Sequence, residues 1–346
     1  MDPFMNRRRQ IFDRVMERSE QGDIFFSPIL MQFAAHYIGR TYKEFYLDHE
    51  VLVKANLACR SEFDLDTVGL ISDPYREASA YGLSFSFPEE SVPRPHGSLI
   101  QTLEDVFNLK DPDVHYATRT CDRIKGTKLL RGAVGKDTPI IGWIEGPLAE
   151  ACALVGVSDM LLKLVSDSEF SHQILQKMMP TAKSFALAQI EAGADIIGVG
   201  DAICSQISPK MYAEYIKPLH SEIFSFIQAH DTMVKLHICG NITHLLLHLA
   251  ELKPDIIDLD WMVDMDLAYQ VFGSEIIRSG NIDPASVIET QPSEMVHHTT
   301  CCLVKAEQGR PFILSGGCEI TPLTPMKNLT AMRKAARNGF SEWKTW

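Results

Sequence analysis

Eight short apolar segments, each followed by a stretch with helical periodicity, recur along this chain of 346 residues. Continuous apolar runs of this length are typical of parallel strands that helices cover on both faces. Eight such strands alternating with helices predict an α/β protein built as a single (β/α)8 TIM barrel; a doubly wound sheet is the alternative. The predicted strands are Phe25–Leu30, Thr67–Ile71, Pro139–Ile144, Asp195–Val199, Met233–His237, Asp255–Leu259, Glu275–Ser279 and Phe312–Ser315.

The segments outside this alternation complete the predicted domain organisation. Residues 1–23 are predicted to form an N-terminal helical extension, and residues 24–346 the barrel, which is the catalytic domain. The stretch from 72 to 135 is predicted as an insertion after the second strand that sits over one end of the barrel. Within it, Leu83–Phe87 is predicted as a hairpin strand and Pro88–Gly97 as a loop.

Charge and cysteine usage narrow the class of protein. The formal net charge is -12, which disfavours nucleic acid and anionic membrane surfaces as partners. We find no apolar run long enough to span a bilayer and no secretory leader. The eight cysteines are irregularly spaced, so we expect reduced thiols in a cytoplasmic protein rather than a disulfide framework.

Three soft ligand residues stand at two of the predicted strand ends. His237 and Cys239 end the fifth strand, and Cys318 follows two glycines after the eighth. Residues i and i+2 of a strand point to the same side, so His237 and Cys239 face one way together. If the two strand ends lie close, one imidazole and two thiolates form a zinc site with an open fourth position, which is the catalytic pattern. The alternative is a core histidine beside small buried thiols.

Polar residues follow most of the predicted strands, and a barrel gathers these strand ends at its C-terminal rim. Four carboxylates there are candidate catalytic groups, either as a fourth zinc ligand or as orienting groups: Glu145, Asp201, Asp260 and Glu319. Asn241 and Asn281, in the same segments, are candidates for cofactor contacts. The alternative is that polar residues follow strands because loops are polar.

With these residues in place, the chain resembles the uroporphyrinogen decarboxylase superfamily, and within it the zinc-dependent corrinoid methyltransferases. The resemblance extends from about Pro28 to Ala336. It is carried by Glu145-Gly146-Pro147, Gly193-Ala194-Asp195, Ser208-Pro209 through Lys217-Pro218, Leu236 to Asn241, Gly280 to Pro284, and Gly317-Cys318-Glu319 through Thr324-Pro325. It implies a (β/α)8 barrel and zinc held by His237, Cys239 and Cys318.

One segment departs from true uroporphyrinogen decarboxylases. Those enzymes resemble this chain but carry an arginine-rich segment after the first strand, which binds the carboxylates of a tetrapyrrole. Here Leu30–Tyr37 contains no arginine, and the first one is Arg40. A substrate with many carboxylates needs such cations, so uroporphyrinogen decarboxylation is the disfavoured alternative.

The resemblance implies a partner protein that carries a corrinoid (cobalamin), and two directions of methyl transfer. In the favoured one, a methoxylated aromatic molecule donates its methyl group to Co(I), and zinc stabilises the leaving oxygen. In the other, zinc activates a thiol such as coenzyme M, which accepts a methyl group from cobalt. Aromatic and sulfur residues near the rim are candidates for substrate contacts, or else ordinary core residues: Phe33, Tyr37, Trp143, Trp261 and Met262. A non-catalytic zinc-binding component and a homodimer are further expectations left open.

Overall fold

A computed structural model of the chain describes residues 6–306 and 310–338. Each of the eight predicted segments contains a strand, and a small hairpin adds two more. In chain order the strands are β1 (Phe25–Phe26), β2 (Val68–Gly69), β3 (Phe85–Ser86), β4 (Arg94–Pro95), β5 (Ile140–Glu145), β6 (Ile196–Gly200), β7 (Met233–His237), β8 (Ile256–Leu259), β9 (Ile277–Ile282) and β10 (Phe312–Gly316).

Helices connect these strands and surround the sheet. In chain order they are α1 (Arg7–Gln21), α2 (Gln32–Tyr37), α3 (Tyr42–Leu47), α4 (His49–Phe63), α5 (Arg76–Ala80), α6 (Leu103–Asn108), α7 (Thr118–Val134), α8 (Pro147–Val155), α9 (Val157–Ser166), α10 (Ser168–Glu191), α11 (Pro209–Met211), α12 (Lys217–Ala229), α13 (Leu246–Leu252), α14 (Met265–Phe272), α15 (Ser286–Glu289), α16 (Pro292–Ala306) and α17 (Met326–Asn338). Within the described ranges, none of them combines the length and apolar character that crossing a bilayer requires.

The eight strands other than β3 and β4 form one parallel sheet that curls into a barrel. Its order is β1-β10-β9-β8-β7-β6-β5-β2. The two edge strands meet through Asp66, whose N–H donates to Phe26 O at 3.0 Å and whose Oδ2 accepts the Phe26 N–H at 2.7 Å. The hydroxyls of Ser27 and Thr67 add a contact of 2.5 Å. The predicted (β/α)8 barrel is therefore confirmed.

The inside of the barrel changes from apolar to polar along the strands. At the N-terminal end, one cluster of buried apolar side chains fills the interior: Ile11, Val15, Phe25, Ile141, Ile196, Met233, Ile256, Ile277 and Ile313. Because inward positions recur every second residue, the next positions of β7 and β8 are Lys235 and Asp258, both buried. One step further, β7 reaches His237. The polar end of the interior is thus the C-terminal rim.

Helix α1 closes the opposite end, and its arginines bind aspartates that lie just before strands. Arg7 Nε donates to Asp195 Oδ1 at 2.8 Å, and Arg8 Nε donates to Asp255 Oδ1 at 2.5 Å. The second oxygen of Asp195 accepts the Ile140 N–H, the first of β5, at 2.8 Å. Each aspartate therefore joins the helix to two adjacent strands.

The insertion after β2 contacts the rim, where Arg76 Nη2 donates to Glu145 Oε1 at the end of β5 at 3.0 Å. The hairpin β3–β4 places Glu90 against α2, where Gln32 Nε2 donates to its backbone oxygen at 3.1 Å. Tyr46 Oη donates to Pro88 O at 2.7 Å. The hairpin strand predicted over Leu83–Phe87 is confirmed at Phe85–Ser86, but Pro88–Gly97, predicted as a loop, contains the second strand of the hairpin. Arg94–Pro95 pairs with β3 there, in a two-residue ladder that carries no apolar signal.

We expect Asp195→Ala to lower the free energy of unfolding by about 3 kcal/mol, because it leaves the buried Ile140 N–H and the partly buried Arg7 without their carboxylate partner. Asp13→Ala is the matched control: Asp13 pairs with Arg9 on the exposed face of α1, and such pairs contribute less than about 1 kcal/mol. Denaturant titration of both variants measures the difference. Equal losses would show that the link between α1 and the strands carries no special weight.

Candidate metal centre

The three predicted ligand residues meet at the C-terminal rim. His237 Nε2 lies 3.0 Å from Cys239 Sγ, the two sulfur atoms lie 3.4 Å apart, and Cys318 Sγ lies 3.9 Å from His237 Nε2. His237 is buried, whereas the two cysteines are partly exposed. An imidazole nitrogen and two sulfurs therefore share one point, open to the rim on one side.

Glycines let the loops that carry these ligands approach one another. Gly240, directly after Cys239, has φ +89°, a conformation that side-chain-bearing residues rarely adopt. A Cβ on Gly317 would lie 2.5 Å from Asp260 Oδ1 and 2.5 Å from the Trp261 nitrogen. Only glycine therefore fits before Cys318, and the chain can bring that cysteine beside the end of β7.

A buried ion pair orients the imidazole. Asp258 Oδ2 lies 2.9 Å from His237 Nδ1, and Asp258 Oδ1 accepts from Lys235 Nζ at 3.0 Å. Burial opposes ionisation of Asp258, but the Lys235 charge and the His237 hydrogen bond outweigh it and lower the pKa of Asp258 to about 2. The carboxylate accepts at Nδ1 and leaves Nε2 facing the two cysteines, as a metal-binding histidine requires.

The two thiols do not titrate alike. The hydrogen bond from Cys239, together with His237, lowers the pKa of Cys318 to about 5, although burial opposes this. The same hydrogen bond and burial raise the pKa of the Cys239 thiol. One sulfur of the pair is thus already disposed to be a thiolate, which is the form that binds metals.

Trp143 forms a flat wall beside the ligands because β6 has glycines where its side chains would point inward. A Cβ on Gly198 would lie 2.2 Å from the Trp143 ring, and one on Gly200 would lie 3.0 Å from its Nε1. The indole therefore lies across β6 and reaches β7, where its ring centroid is 5.7 Å from that of His237. Trp143, a candidate substrate contact, lies directly beside the centre.

Glu145 follows Trp143 on the same face of β5. Trp143 Nε1 donates to Glu145 Oε1 at 3.1 Å, and Arg76 Nη2 donates to the same oxygen at 3.0 Å. Burial and the neighbouring acid Glu77 raise the pKa of Glu145 to about 8, against the opposing charge of Arg76. This side chain is held in a fixed position between the metal centre and the insertion.

Asp260 and Glu319 flank the cysteines and hold loops in place. Asp260 Oδ2 accepts the Gly240 N–H at 2.6 Å, and its Oδ1 accepts the Trp261 N–H at 2.8 Å. Glu319 Oε1 accepts the Gln32 N–H at 2.9 Å. Burial raises the pKa of Glu319 to about 7. Glu319 directly follows Cys318 in the sequence, and Asp260 binds the backbone of Gly240, the residue after Cys239.

Asp201 has a different setting. Its Oδ1 accepts the Ala149 N–H at 2.7 Å at the start of α8, and its Oδ2 lies 3.0 Å from His220 Nε2. With Cys204 these residues form a second group of potential metal ligands. The carboxylate is satisfied by α8 and His220, and His220 Nδ1 lies 2.9 Å from Tyr212 Oη, so the group needs no ion to be paired.

The two asparagines lie in the loops around the centre. Asn241 Oδ1 accepts the Thr243 N–H at 3.0 Å and is exposed. Asn281 Nδ2 donates to Val263 O at 3.1 Å. Their candidate role in cofactor contacts stays a prediction, since these bonds are local to the loops.

The remaining aromatic candidates separate into two groups. Phe33 and Tyr37 pack against Phe63, with ring centroids 5.8 and 5.6 Å away. Trp261 and Met262 are about half exposed and border an open cleft of about 480 Å³. None of His237, Cys239 and Cys318 lines this cleft, so the role of Trp261 and Met262 in substrate contacts stays a prediction.

Sequence reasoning missed three groups that shape the centre. Lys235 stands two residues before His237, and Asp258 two residues before Asp260, so the strand period alone places each on the inward face. Arg76 lies in the insertion, on α5, and no local pattern points to its bond with Glu145 on β5. The first two were available from the sequence; the third needed the fold.

A barrel with three soft ligands and several buried acids at its C-terminal rim has the layout of a barrel enzyme. Residues 9–339 match the family described as Uroporphyrinogen decarboxylase (URO-D). The chain belongs to the URO-D family.

Relatives with two activities resemble this chain. It is 27% identical over 285 residues to a uroporphyrinogen decarboxylase of Prochlorococcus marinus, covering 80% of each chain. It is 27% identical over 303 residues to the methylcobamide:CoM methyltransferase MtbA of Methanosarcina mazei, covering 87% of this chain and 88% of that one. A solved methyltransferase from Methanosarcina mazei superposes with a TM-score of 0.85 at 21% identity, over 96% of this chain and 99% of that one. The last similarity supports the fold, and the relatives show that the family includes methyltransferases.

We expect Gly198→Ala to displace the Trp143 ring and to lower the free energy of unfolding by about 1–3 kcal/mol, the usual cost of overpacking. Gly132→Ala is the control, since a Cβ there meets nothing within 4 Å on exposed α7. Alanine is favoured over glycine in a helix by about 1 kcal/mol. Thermal denaturation and tryptophan emission are measured for both variants. A Gly198→Ala variant with the stability and emission of the wild type would contradict the packing of Trp143 across β6.

Proposed function

We propose that this protein is a zinc-dependent methyltransferase. It transfers a methyl group from a methoxylated aromatic molecule to the Co(I) corrinoid of a partner protein. The carrying observation is that His237, Cys239 and Cys318 converge at the rim and leave a fourth side open. A structural zinc site closes all four positions, whereas a catalytic site keeps one free.

The donor set fits Zn²⁺. Zinc–nitrogen and zinc–sulfur bonds at tetrahedral angles separate the ligand atoms by roughly 3.5–3.8 Å. The three separations of 3.0, 3.4 and 3.9 Å bracket that range. When bound, zinc supplies Lewis acidity that polarises the ether oxygen. His237, Cys239 and Cys318 would hold it, and Asp258 would orient His237.

The residues of the chain supply the remaining functions. Trp143 offers a flat surface beside His237 for an aromatic ring. Asp260 and Glu319 keep the loops around the cysteines in place. The thiols are suited to the reducing cytoplasm that we propose as the location, since all eight cysteines are free.

A thiol acceptor is the second candidate. The similarity to MtbA, named as a methylcobamide:CoM methyltransferase, favours it. In that direction the bound thiol must lose a proton before it attacks methyl-cobalt, whereas a leaving oxygen must gain one. The raised pKa of Glu145, about 8, keeps a proton on that carboxyl at neutral pH, which favours the ether as substrate.

Uroporphyrinogen decarboxylation remains the disfavoured alternative despite the relatives with that name. The segment after β1 forms α2, where Phe33 is buried and no arginine is present. Arg40, the first arginine beyond it, pairs with Glu44 at 2.8 Å on the surface. No cation of this segment is therefore directed to a substrate with many carboxylates.

We expect about one zinc per chain in the purified protein and loss of the metal from a Cys239→Ala, Cys318→Ala double variant. Asp258→Asn should weaken zinc binding about 10–100-fold, since it removes the carboxylate that orients His237. Competition with a chromogenic chelator measures both effects. Cys301→Ser, at an exposed cysteine, and Asp159→Asn, at an exposed aspartate, are the controls. Zinc retained by the double variant would contradict the proposed zinc site.

Mixing the protein with a reduced corrinoid protein and a methoxybenzoate distinguishes the two directions of methyl transfer. We expect the absorption spectrum to change to that of methyl-cobalt. We expect no loss of methyl-cobalt when coenzyme M is added to the methylated corrinoid protein instead. The opposite pair of results would establish the thiol acceptor and overturn the methoxylated donor.

A further inference from the structure

We propose that Glu145 is the proton donor to the leaving oxygen, and that its burial beside the acid Glu77 keeps it protonated. This inference rests on the proposed function and assigns the acid of the same site. It is carried by the placement of the two Glu145 oxygen atoms and by the charge balance around them.

One Glu145 oxygen is anchored and the other is not. Oε1 accepts from Arg76 Nη2 and from Trp143 Nε1. Oε2 has no hydrogen-bond partner within the described parts of the chain. It lies 3.2 Å from the place of a Cβ on Gly200, which points into the barrel. The carboxyl group is thus held from behind and presents one free oxygen to the interior.

That free oxygen lies beside Gly200, the residue that stands between Glu145 and His237 in the sheet. In the sheet register Glu145 pairs with Gly200, and Gly200 pairs with His237. Each strand step is about 4.8 Å, so Glu145 and His237 stand at the same level of the barrel, two steps apart. Gly200 has no side chain to separate them, and Trp143 forms the floor between them. A small molecule that packs on Trp143 at this level would contact both Glu145 and His237.

The charges around Glu145 do not balance if every acid is ionised. Arg76 is the one guanidinium among three buried glutamates: Glu145 at 3.0 Å, Glu77 at 3.9 Å, and Glu150 on α8. Both carboxyl oxygens of Glu150 and Oε2 of Glu77 are buried without a hydrogen-bond partner in the described residues. Buried like charges this close cannot all ionise, so at least one of these carboxyls holds a proton.

The other charged groups that face Glu145 do not supply the missing positive charge. Asp73 is bound by Arg119, whose Nη2 lies 2.6 Å from Asp73 Oδ2. Asp201 is engaged by His220. Both acids add repulsion, and with burial and Glu77 they keep the pKa of Glu145 raised to about 8. The pKa of Glu150 is raised further by burial and by Glu77 and Glu145.

The reaction step balances with Glu145 as the acid. The methyl carbon–oxygen bond breaks, and a methyl–cobalt bond forms with an electron pair from the reduced cobalt. Both electrons of the broken bond stay on oxygen, and the Glu145 proton passes to that oxygen. The products are a phenol and the Glu145 carboxylate, which Arg76 then neutralises; water returns the proton between turnovers.

The test uses the zinc-loaded protein, its corrinoid partner protein and methoxybenzenes whose phenols differ in pKa. When Glu145 protonates the leaving oxygen, little negative charge develops there, so the rate depends only weakly on the pKa of the phenol. Glu145→Gln should lose about 10²–10³-fold with poor leaving groups, and less than about 10-fold with a nitro-substituted one. Glu251→Gln, at an exposed residue paired with Lys217, is the control. An equal loss across the series would assign Glu145 a structural role and overturn the proposal.

The pH profile and an infrared spectrum give readouts that a purely structural role would not move. Glu145 is protonated below its pKa, so the wild-type rate should fall as pH rises above about 8, and Glu145→Gln should lose that limb. At neutral pH, Glu145→Gln should also remove a protonated-carboxyl band from the infrared spectrum. Absence of that change would overturn the proposal even if the variant is poorly active.

Failure of the proposed function can be distinguished from failure of the proton-donor role of Glu145. A wild-type protein that transfers no methyl group from any ether, but demethylates methyl-cobalt with a thiol, overturns the function together with the donor role. A wild type that is active on ethers, with a Glu145→Gln variant that keeps the wild-type leaving-group dependence, overturns the donor role alone.

Discussion

The closure of eight parallel strands into a barrel is the constraint on which the rest of this structure depends. It brings the carboxyl ends of all eight strands to one rim. The sulfur atoms of Cys239 and Cys318, which are 79 positions apart in the chain, thereby come within 3.4 Å. The same closure sends every second side chain of each strand inward, so a period of two residues decides which groups reach the centre.

One large ring inside the barrel depends on two glycines that leave room for it. Trp143 spans β6 only because Gly198 and Gly200 carry no side chains. The indole then supports His237 on one side and bonds to Glu145 on the other. The ring that fills the barrel therefore also fixes the level at which Glu145 and the candidate metal ligand His237 face one another.

The sequence was sufficient for the elements whose signal is local. Apolar runs placed each barrel strand, because strands covered on both faces need continuous apolar residues. His237 and Cys239 followed from their i, i+2 spacing. The bond between Arg76 and Glu145 was out of reach, since it joins an insertion helix to a strand 69 residues on. The short strand at Arg94–Pro95 also escaped, because a two-residue exposed ladder leaves no pattern.

The two ends of the barrel treat buried charge differently, and the contrast bears on function. At the N-terminal end, Asp195 and Asp255 each meet an arginine of α1. At the rim, one Arg76 faces three glutamates. Excess buried acid destabilises a fold unless it holds protons, so packing alone gives no reason to keep it. Local rules are usually broken at functional sites, and the proposed cleavage of an ether, in which the leaving oxygen takes up a proton, would give this excess of buried acid a role.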